Sequence, residues 1–256
     1  PAKAVSAQFT ASITYEYYKN IHGCNSINNK GCDIPMIINI TNEDGSSMEN
    51  AFWNGVAAYF GNGGSTFKPL AGGLDVGAHE LGHAVVGNSA NLEYQNQSGA
   101  LNESFADISG AMLDRDDWKI GEDVIQTNAS GFPTGALRDM SNPHNGGTGL
   151  GSPSWQPQHM SEIYTGQQDN GGVHINSGIP NRAFYLYATQ VSREKAEKVF
   201  YRALFKYLTR SSRFIDLRLT VIQSAKDLYG AGSAEVTAAA SAFDQVGITD
   251  GSATNV

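Results

Sequence analysis

The sequence predicts an α+β fold in which a small mixed N-terminal lobe, residues 1–87, precedes a mainly helical C-terminal lobe, residues 88–256. Two observations carry this prediction. A β-rich run and a strand–turn–strand pattern lie in the first third of the chain. Apolar residues at helical spacing dominate from Leu74 onward. The length of 256 residues allows one large domain or two modest ones.

The first lobe is predicted to open with a helix, because Phe9, Ile13 and Tyr17 recur near helical spacing. A run of apolar, β-branched residues bounded by turn residues then indicates a strand. A second pair of strands is predicted around a bend at Asn54 and Gly55. The predicted elements are a helix over residues 4–20, a strand over 36–40 and a strand–turn–strand over 50–61.

Six further helices are predicted from their apolar periodicity. Gly87 suits the C-terminal end of the first, because glycine readily adopts the backbone conformation that closes a helix. The predicted ranges are 75–86, 101–113, 179–189, 194–208, 214–228 and 234–246.

The charge balance excludes some classes of partner. Lys and Arg number 17 against 25 Asp and Glu, so the formal net charge is −8. A nucleic-acid binder needs a basic footprint, which this chain does not have. We therefore expect no nucleic-acid partner. The sequence contains no run of 18 apolar residues that could span a membrane, so we expect no membrane partner either.

Cys24 and Cys32 flank a short polar loop and are the only cysteines in the sequence. Two cysteines are too few for a cysteine-rich zinc module. Their closeness in a polar loop predicts a local disulfide and an oxidising compartment, with two free thiols as the alternative.

The segment from His79 to His83 reads H-E-x-x-H, the pattern that carries the chemistry. On a helix, residues four apart share a face, so both imidazoles can reach one ion. Neutral imidazoles suit zinc, which lowers the pKa of a bound water to about 7. Glu80 lies beside the ion and can accept a proton from that water. The sequence therefore predicts a hydrolytic zinc site.

A catalytic zinc needs a third protein ligand. Glu103 follows His83 by 20 residues, on the next predicted helix. Asp107 lies one turn further along the same face and can accept a hydrogen bond from a ligating imidazole. An ordinary solvated acidic face is the alternative for this pair.

Further stretches resemble the thermolysin family of zinc metallopeptidases, and they occur in the family's order along nearly the whole chain. They are YEYYKN (15–20), NAFWNG (50–55), LEYQN (92–96), NE (102–103), GEDV (121–124), DNGGVHINSG (169–178) and QSAKDLYG (223–230). The resemblance implies an active-site cleft between the two lobes, bridged by the H-E-x-x-H helix. Relatives carry a further β-rich segment before residues 15–20, so the chain resembles a compact or trimmed variant.

The resemblance implies a role for each residue of the active site. His79, His83 and Glu103 would bind one zinc. Asp107 would accept a hydrogen bond from a His ligand, and Glu80 would be the general base. His174, oriented by Asp169, and Tyr94 would donate to the developing oxyanion. Asn50, Ala51, Trp53 and Arg138 would hold the peptide substrate. An apolar pocket implies cleavage before bulky hydrophobic residues, and its candidate lining is Phe67, Leu70, Val76, Ile120, Val124 and Leu137.

Structural calcium is also implied, because several carboxylates together suit this hard cation. Asp75, Asp114, Asp117 and Glu122 match the acids that hold calcium in the family. The resemblance therefore implies at least one calcium ion. Only Arg115 and Asp116 separate Asp114 from Asp117, a shorter stretch than in the longer members of the family, which argues against the second ion of a double site.

These observations predict a secreted, monomeric zinc endopeptidase that acts on proteins or peptides after loss of a signal and propeptide. An exopeptidase is the close alternative. Those enzymes grip a free amino terminus with a Gly-x-Met-Glu-Asn segment, and Ser46–Asn50 comes near it without the glycine. A non-catalytic metal-binding or adhesion module, and an inhibited or inactive fragment, are the remaining alternatives.

Overall fold

The computed structural model describes residues 2–250 and has the predicted α+β class, with a mixed N-terminal part and a helical C-terminal part. Its helices are α1 (Ala2–His22), α2 (Leu74–Gly87), α3 (Asn96–Leu113), α4 (Gln168–Asn176), α5 (Gly178–Val191), α6 (Arg193–Lys206), α7 (Phe214–Tyr229) and α8 (Ala234–Gln245). Its strands are β1 (Met36–Ile40), β2 (Ala51–Trp53), β3 (Ala58–Gly61), β4 (Lys119–Ile120) and β5 (Arg138–Asp139). Short 3-10 turns occupy Leu70–Gly72 and Met160–Glu162.

The chain forms two compact units. The first comprises the chain up to Asn88 together with Phe105–Asp139 and Asn145–Trp155. The second comprises Ser89–Ser104, Met140–His144 and the chain from Gln156 onward. The division passes through α3, which is one continuous helix. A lobe boundary at residue 87 stays a prediction.

In the first unit, a three-stranded sheet has the order β1-β3-β2. β1 runs parallel to β3, and β2 runs antiparallel to it, so β2 is an edge strand. Helix α2 packs against α1 and β2. Gly77 permits the close approach of α1, because a Cβ there would lie 2.6 Å from Cγ2 of Thr10.

The core of the second unit is built by α5 to α8, each packed against its neighbours. Phe184, Phe200 and Phe243 are fully buried in it. The rings of Phe184 and Phe200 meet edge to face with centroids 4.9 Å apart, an arrangement aromatic pairs prefer. This bundle extends from Gly178 to Gln245.

The elements lie close to the predicted ranges, with three differences. Strands β4 and β5, of two residues each, were not predicted. Helix α3 begins at Asn96, five residues before the predicted start at Leu101. Helix α4 was not predicted, because four of its residues have left-handed backbone angles and its sequence is glycine-rich. Among the described residues, no helix is long and apolar enough to cross a membrane.

The predicted disulfide is wrong for this structure, in which Cys24 and Cys32 are both free thiols. Each sulfur has a polar neighbour of its own. The Cys24 thiol lies 3.7 Å from the carbonyl oxygen of His22, and the Cys32 sulfur lies 3.6 Å from Oγ of Ser26. Burial raises the pKa of the Cys24 thiol.

Candidate metal centre and active site

The two histidines of the H-E-x-x-H motif lie one turn apart on α2, a helix that is buried along most of its length. Their Nε2 atoms are 3.1 Å apart, and their rings meet edge to face. Gly82 brings α3 close to this helix, because a Cβ there would lie 2.8 Å from Cα of Ala106. The motif therefore presents two nitrogen ligands to one point, as the spacing predicted.

Glu103 joins these histidines to complete a convergent set. The possible ligand atoms of His79, His83 and Glu103 all lie within 4.8 Å of one another. Within residues 2–250, these three form the one group of His, Cys, Asp or Glu side chains that converges this tightly. Two imidazoles and a carboxylate are the donor set of many catalytic zinc sites.

Asp107 fixes the orientation of His79. Its fully buried carboxylate lies 2.8 Å from Nδ1 of His79 and accepts two hydrogen bonds, of 2.8 and 2.6 Å, from the guanidinium of Arg138. Burial alone would raise the pKa of Asp107. The charge of Arg138 and the hydrogen bond with His79 outweigh burial and lower the pKa to about 2. An anionic Asp107 holds the proton of His79 on Nδ1, which leaves the Nε2 lone pair for a metal.

Glu80 follows His79 directly on α2 and is 7% exposed. One residue along a helix is a rotation of about 100°, so its carboxylate lies to the side of the two imidazoles. This position suits a base beside the metal rather than a further ligand.

Asp169, His174 and Tyr94 form a second polar group beside Glu103. Asp169 accepts from the backbone N–H of His174 at 2.7 Å and lies 2.7 Å from its Nδ1. Nε2 of His174 is 3.2 Å from the Tyr94 hydroxyl and 3.3 Å from Oε1 of Glu103. The Tyr94 hydroxyl also donates to Glu103. Two potential proton donors thus point toward a proposed metal ligand.

A left-handed turn at the start of α4 sets up this group. Asp169, Asn170, Gly171 and Gly172 have φ values of 53°, 51°, 83° and 83°. Glycine adopts such angles at little cost, and Asn and Asp tolerate them. A Cβ at Gly172 would lie 2.7 Å from the ring of Tyr164, so space as well as backbone requires this glycine.

The predicted substrate segment lies on the free edge of β2. Asn50 is exposed, and Ala51 and Trp53 are half-buried on the strand. Among the strands of residues 2–250, β2 pairs with β3 alone, and it packs against α2. A peptide can therefore add to this edge close to the helix of the two histidines.

Several predicted pocket residues lie together in the first unit. A Cβ built at Gly73 would lie 3.0 Å from Val124 and 3.2 Å from Val76, so these side chains flank one point. Phe67 pairs with Ile125, next to Val124 in the chain. Leu137 donates its N–H to the carbonyl of Ile120 at 2.9 Å. Leu70, Val76, Ile120 and Val124 are buried, whereas Phe67 and Leu137 are half-buried.

The four acidic residues predicted for calcium lie near one another but do not converge as tightly as the zinc group. Burial and the charge of Asp75 raise the pKa of Glu122 to about 7. Burial, with a smaller effect of Asp114, raises the pKa of Asp75 to about 6. Oδ1 of Asp75 and Oε2 of Glu122 are buried without a hydrogen-bond partner. Asp117 accepts from the N–H of Lys119 at 2.7 Å. Buried, mutually repelling carboxylates of this kind fit a hard cation.

Glu49, which the sequence places only in the segment that resembles the exopeptidase motif, is surrounded by backbone donors in the structure. Its Oε1 accepts from the backbone N–H of Ser65 at 3.0 Å, and its Oε2 accepts from those of Thr66 and Phe67 at 2.8 and 2.9 Å. Burial raises its pKa, but the hydrogen bonds from Phe67, Thr66 and Ser65 together lower it. Glu49 is far from these partners in the sequence, so no local sequence pattern predicts the contacts.

Gln156 is a second residue that was missed. Its Nε2 donates to the carbonyl of His174 at 2.6 Å and to Oγ of Ser177 at 2.9 Å. The contact holds the backbone of a predicted catalytic histidine. No motif in the sequence marks it.

Two family models together cover nearly the whole chain. The model described as thermolysin metallopeptidase, catalytic domain, matches residues 1–87, and the one described as thermolysin metallopeptidase, alpha-helical domain, matches residues 90–248.

Curated relatives agree with these matches. Bacillolysin of Brevibacillus brevis is 45% identical over 96% of this chain, and thermolysin of Alicyclobacillus acidocaldarius subsp. acidocaldarius is 43% identical over 96%. The chain spans less than half of these relatives, 46% and 45% of their lengths. Among solved structures, the precursor of protealysin, a metalloproteinase from Serratia proteamaculans, superposes with a TM-score of 0.86 at 33% identity, covering 97% of this chain and 79% of that one.

Proposed function

The chain belongs to the thermolysin family of metallopeptidases, and from this premise we propose that it is a zinc-dependent endopeptidase. The observation that carries the proposal is the convergence of His79, His83 and Glu103 within 4.8 Å. Function needs more than a fold, and here the family match and the site's own geometry agree.

The residues present fit a zinc ion. The two Nε2 atoms already face one another at 3.1 Å, and Asp107 holds His79 in the tautomer that leaves Nε2 able to bind. The ion, when bound, lowers the pKa of a coordinated water and polarises the carbonyl of the peptide bond.

We assign the proton transfer to Glu80. It is buried on α2 beside His79, where its carboxylate can accept the proton of the attacking water. The same carboxyl group can then deliver that proton to the leaving nitrogen of the cleaved bond. Protonated Glu80 would thus return to its starting form within one turnover.

The developing negative charge on the peptide carbonyl requires donors. His174 and Tyr94 lie 3.2 Å apart and both contact Glu103, so they are placed to donate to an oxygen beside the metal ligands. Asp169 orients the His174 ring through Nδ1. Arg138, fixed by its paired contacts with Asp107, would bind the carbonyl that follows the cleaved bond.

The substrate is proposed to be an extended protein or peptide held along the edge of β2 by Asn50, Ala51 and Trp53. The residue after the cleaved bond would enter the apolar group that contains Phe67 and Val124. Burial of a large side chain there contributes binding energy that a small one does not, so cleavage should precede bulky hydrophobic residues.

We also propose a structural calcium ion held by Asp75, Asp114, Asp117 and Glu122. The supporting observation is the pair of buried, unpartnered carboxylate oxygens on Asp75 and Glu122. A bound cation would satisfy both oxygens and relieve the repulsion that raises their pKa values.

The proposed setting is extracellular, with the chain acting as a monomer on protein substrates rather than on nucleic acid or membranes. Its net charge of −8 supports the exclusion of nucleic acid.

The exopeptidase alternative needs a carboxylate free to bind a substrate's amino terminus. Glu49 is the candidate by sequence, but its two oxygens already accept hydrogen bonds from Ser65, Thr66 and Phe67. This arrangement favours internal cleavage.

Cleavage-site mapping on a library of peptides blocked at both ends tests the proposal. We expect internal cuts that precede Leu, Phe, Ile or Val, abolished by a chelator and restored by zinc. Cleavage only of peptides with a free amino terminus would favour the exopeptidase. No zinc-dependent cleavage of either kind would contradict the proposal and favour a non-catalytic module.

A further inference from the structure

Glu49 lies where the predicted substrate strand begins, one residue before Asn50 and two before β2. Its carboxylate accepts three backbone N–H groups and the Ser65 hydroxyl, which lies 3.3 Å from Oε1. Gly64 makes room for it, because a Cβ there would lie 2.6 Å from Oε1. A carboxylate held by several backbone donors has a fixed position rather than a solvated one.

The segment that Glu49 holds, Ser65 to Phe67, is also anchored on its other side, and the carbonyl of Phe67 accepts the N–H of Gly64 at 2.7 Å. Thr66 accepts the N–H of Gln126 at 2.8 Å, and the next residue, Lys68, donates its N–H to Val124 at 2.7 Å. Phe67 and Val124 both belong to the proposed pocket. The segment is thus attached both to the pocket wall and to the start of the substrate strand.

Met48 and Asn50, the neighbours of Glu49, are tied to the sheet by their backbones. Asn50 accepts the N–H of Gly61 at 2.9 Å, and Met48 accepts that of Gly63 at 3.1 Å. The backbone that carries Glu49 therefore has a defined place next to the edge of β2. The Glu49 side chain accepts the N–H of Phe67, so it fixes the position of Phe67 relative to this strand.

We propose that Glu49 is a positioning residue for specificity, which sets the distance between the edge strand that holds the peptide backbone and the pocket that receives the next side chain. The inference rests on the proposed function. Glu49 touches neither the metal ligands nor Glu80 in any contact described above, so it should govern which peptide is cleaved rather than the proton transfer.

Three variants test this role. Glu49→Gln keeps the size of the side chain but replaces one acceptor oxygen with an amide group that cannot accept. Glu49→Asp keeps the charge but shortens the reach. Asp44→Asn is the matched control, because Asp44 is an exposed acid of the same β1–β2 connection whose hydrogen bonds run only to Ser46 in its own loop.

The measurement compares kcat and KM on two blocked peptides that differ only in the residue after the cleaved bond, Leu or Ala. We expect Glu49→Gln to reduce the preference for Leu by at least about fivefold, a typical size for a misfitted apolar pocket, mainly through KM. Glu49→Asp should fall between it and the wild type, and Asp44→Asn should match the wild type.

Amide hydrogen exchange gives a readout independent of activity. Exchange at Thr66 and Phe67 should accelerate in Glu49→Gln while the melting temperature stays within a few degrees of the wild type. An unchanged Leu/Ala ratio, or unchanged exchange at these two amides, would overturn the inference. Failure of the wild type to cleave either peptide would instead overturn the proposed function on which it rests.

Discussion

The two acidic regions that flank the start and middle of α2 are built in opposite ways. Around His79 each charge has a complement, because Asp107 contacts both His79 and Arg138 and its pKa is lowered to about 2. Around Asp75 the carboxylates face one another, and the pKa values of Asp75 and Glu122 are raised to about 6 and 7. A buried carboxylate thus belongs to a balanced group where cationic and imidazole partners surround it, and to a repelling group where its charged neighbours are other carboxylates.

The difference indicates what each region requires of its metal. The contacts of Asp107 hold His79, one of the proposed zinc ligands, in place without the ion, so zinc should contribute chiefly chemistry. The cluster around Asp75 and Glu122 has unpartnered buried oxygens, so a cation there should contribute chiefly stability.

Removal of the Glu80 carboxylate should have the largest effect on activity and should leave the zinc-binding residues around His79 unchanged. We expect Glu80→Gln to lower kcat by about a hundredfold to ten-thousandfold, the usual contribution of a general base. Zinc content and melting temperature should not change, because Glu80 is not among the three converging ligands. Activity within tenfold of the wild type would remove Glu80 from the mechanism.

Removal of the negative charge of Asp107 should weaken zinc binding by the residues around His79. Asp107→Asn removes the charge that holds the proton of His79 and pairs with Arg138, so we expect zinc affinity to fall about ten- to a hundredfold. Competition with a zinc chelator measures it. Asp216→Asn is the control, because it weakens the cap of α7 at Arg213 without touching the zinc ligands. Equal zinc affinity in the two variants would contradict the role of Asp107.

Removal of calcium should reveal the repulsion in the second region as a dependence on pH. Asp75 and Glu122 have pKa values above those of an unfolded chain, which are about 4. Their destabilising effect is therefore absent below about pH 4, grows as pH rises, and is complete once pH exceeds their folded values of about 6 and 7. We expect the melting temperature of protein reloaded with zinc alone to fall between about pH 4 and 7. Added calcium should flatten that fall.

The smallest effect should change sign with calcium. Asp75→Asn removes one repelling charge and one ligand, so it should raise the melting temperature by a few degrees at pH 8 without calcium. With calcium present the same variant should be less stable than the wild type. A variant that is less stable under both conditions would show that Asp75 is simply a buried hydrogen-bond acceptor of Gly121.

The regular elements and the close approach of the two motif histidines were predictable because they depend on local spacing. Strand β1 has the predicted bounds, and the four-residue spacing of His79 and His83 places both on one face of α2. The position of Glu103 near the two histidines was predictable because a catalytic zinc needs a third ligand and α3 is the next helix in the chain.

Contacts between residues far apart in sequence gave no such signal. Arg138 and Asp107 are 31 residues apart, and Glu49 and Phe67 are 18 apart. The left-handed turn of Asp169 to Gly172 has no apolar periodicity, so α4 was not predicted. The disulfide was predicted from proximity in sequence, which does not fix how the two sulfurs point.

The central claim is that His79, His83 and Glu103 bind one zinc ion that peptide cleavage requires. Metal-free protein titrated with zinc, with bound zinc and cleavage of a doubly blocked peptide measured in the same samples, tests it most directly. We expect activity to rise in proportion to zinc and to saturate at one ion per chain, with neither binding nor activity in Glu103→Ala. Cleavage by the zinc-free protein, or stoichiometric zinc in Glu103→Ala, would contradict the account.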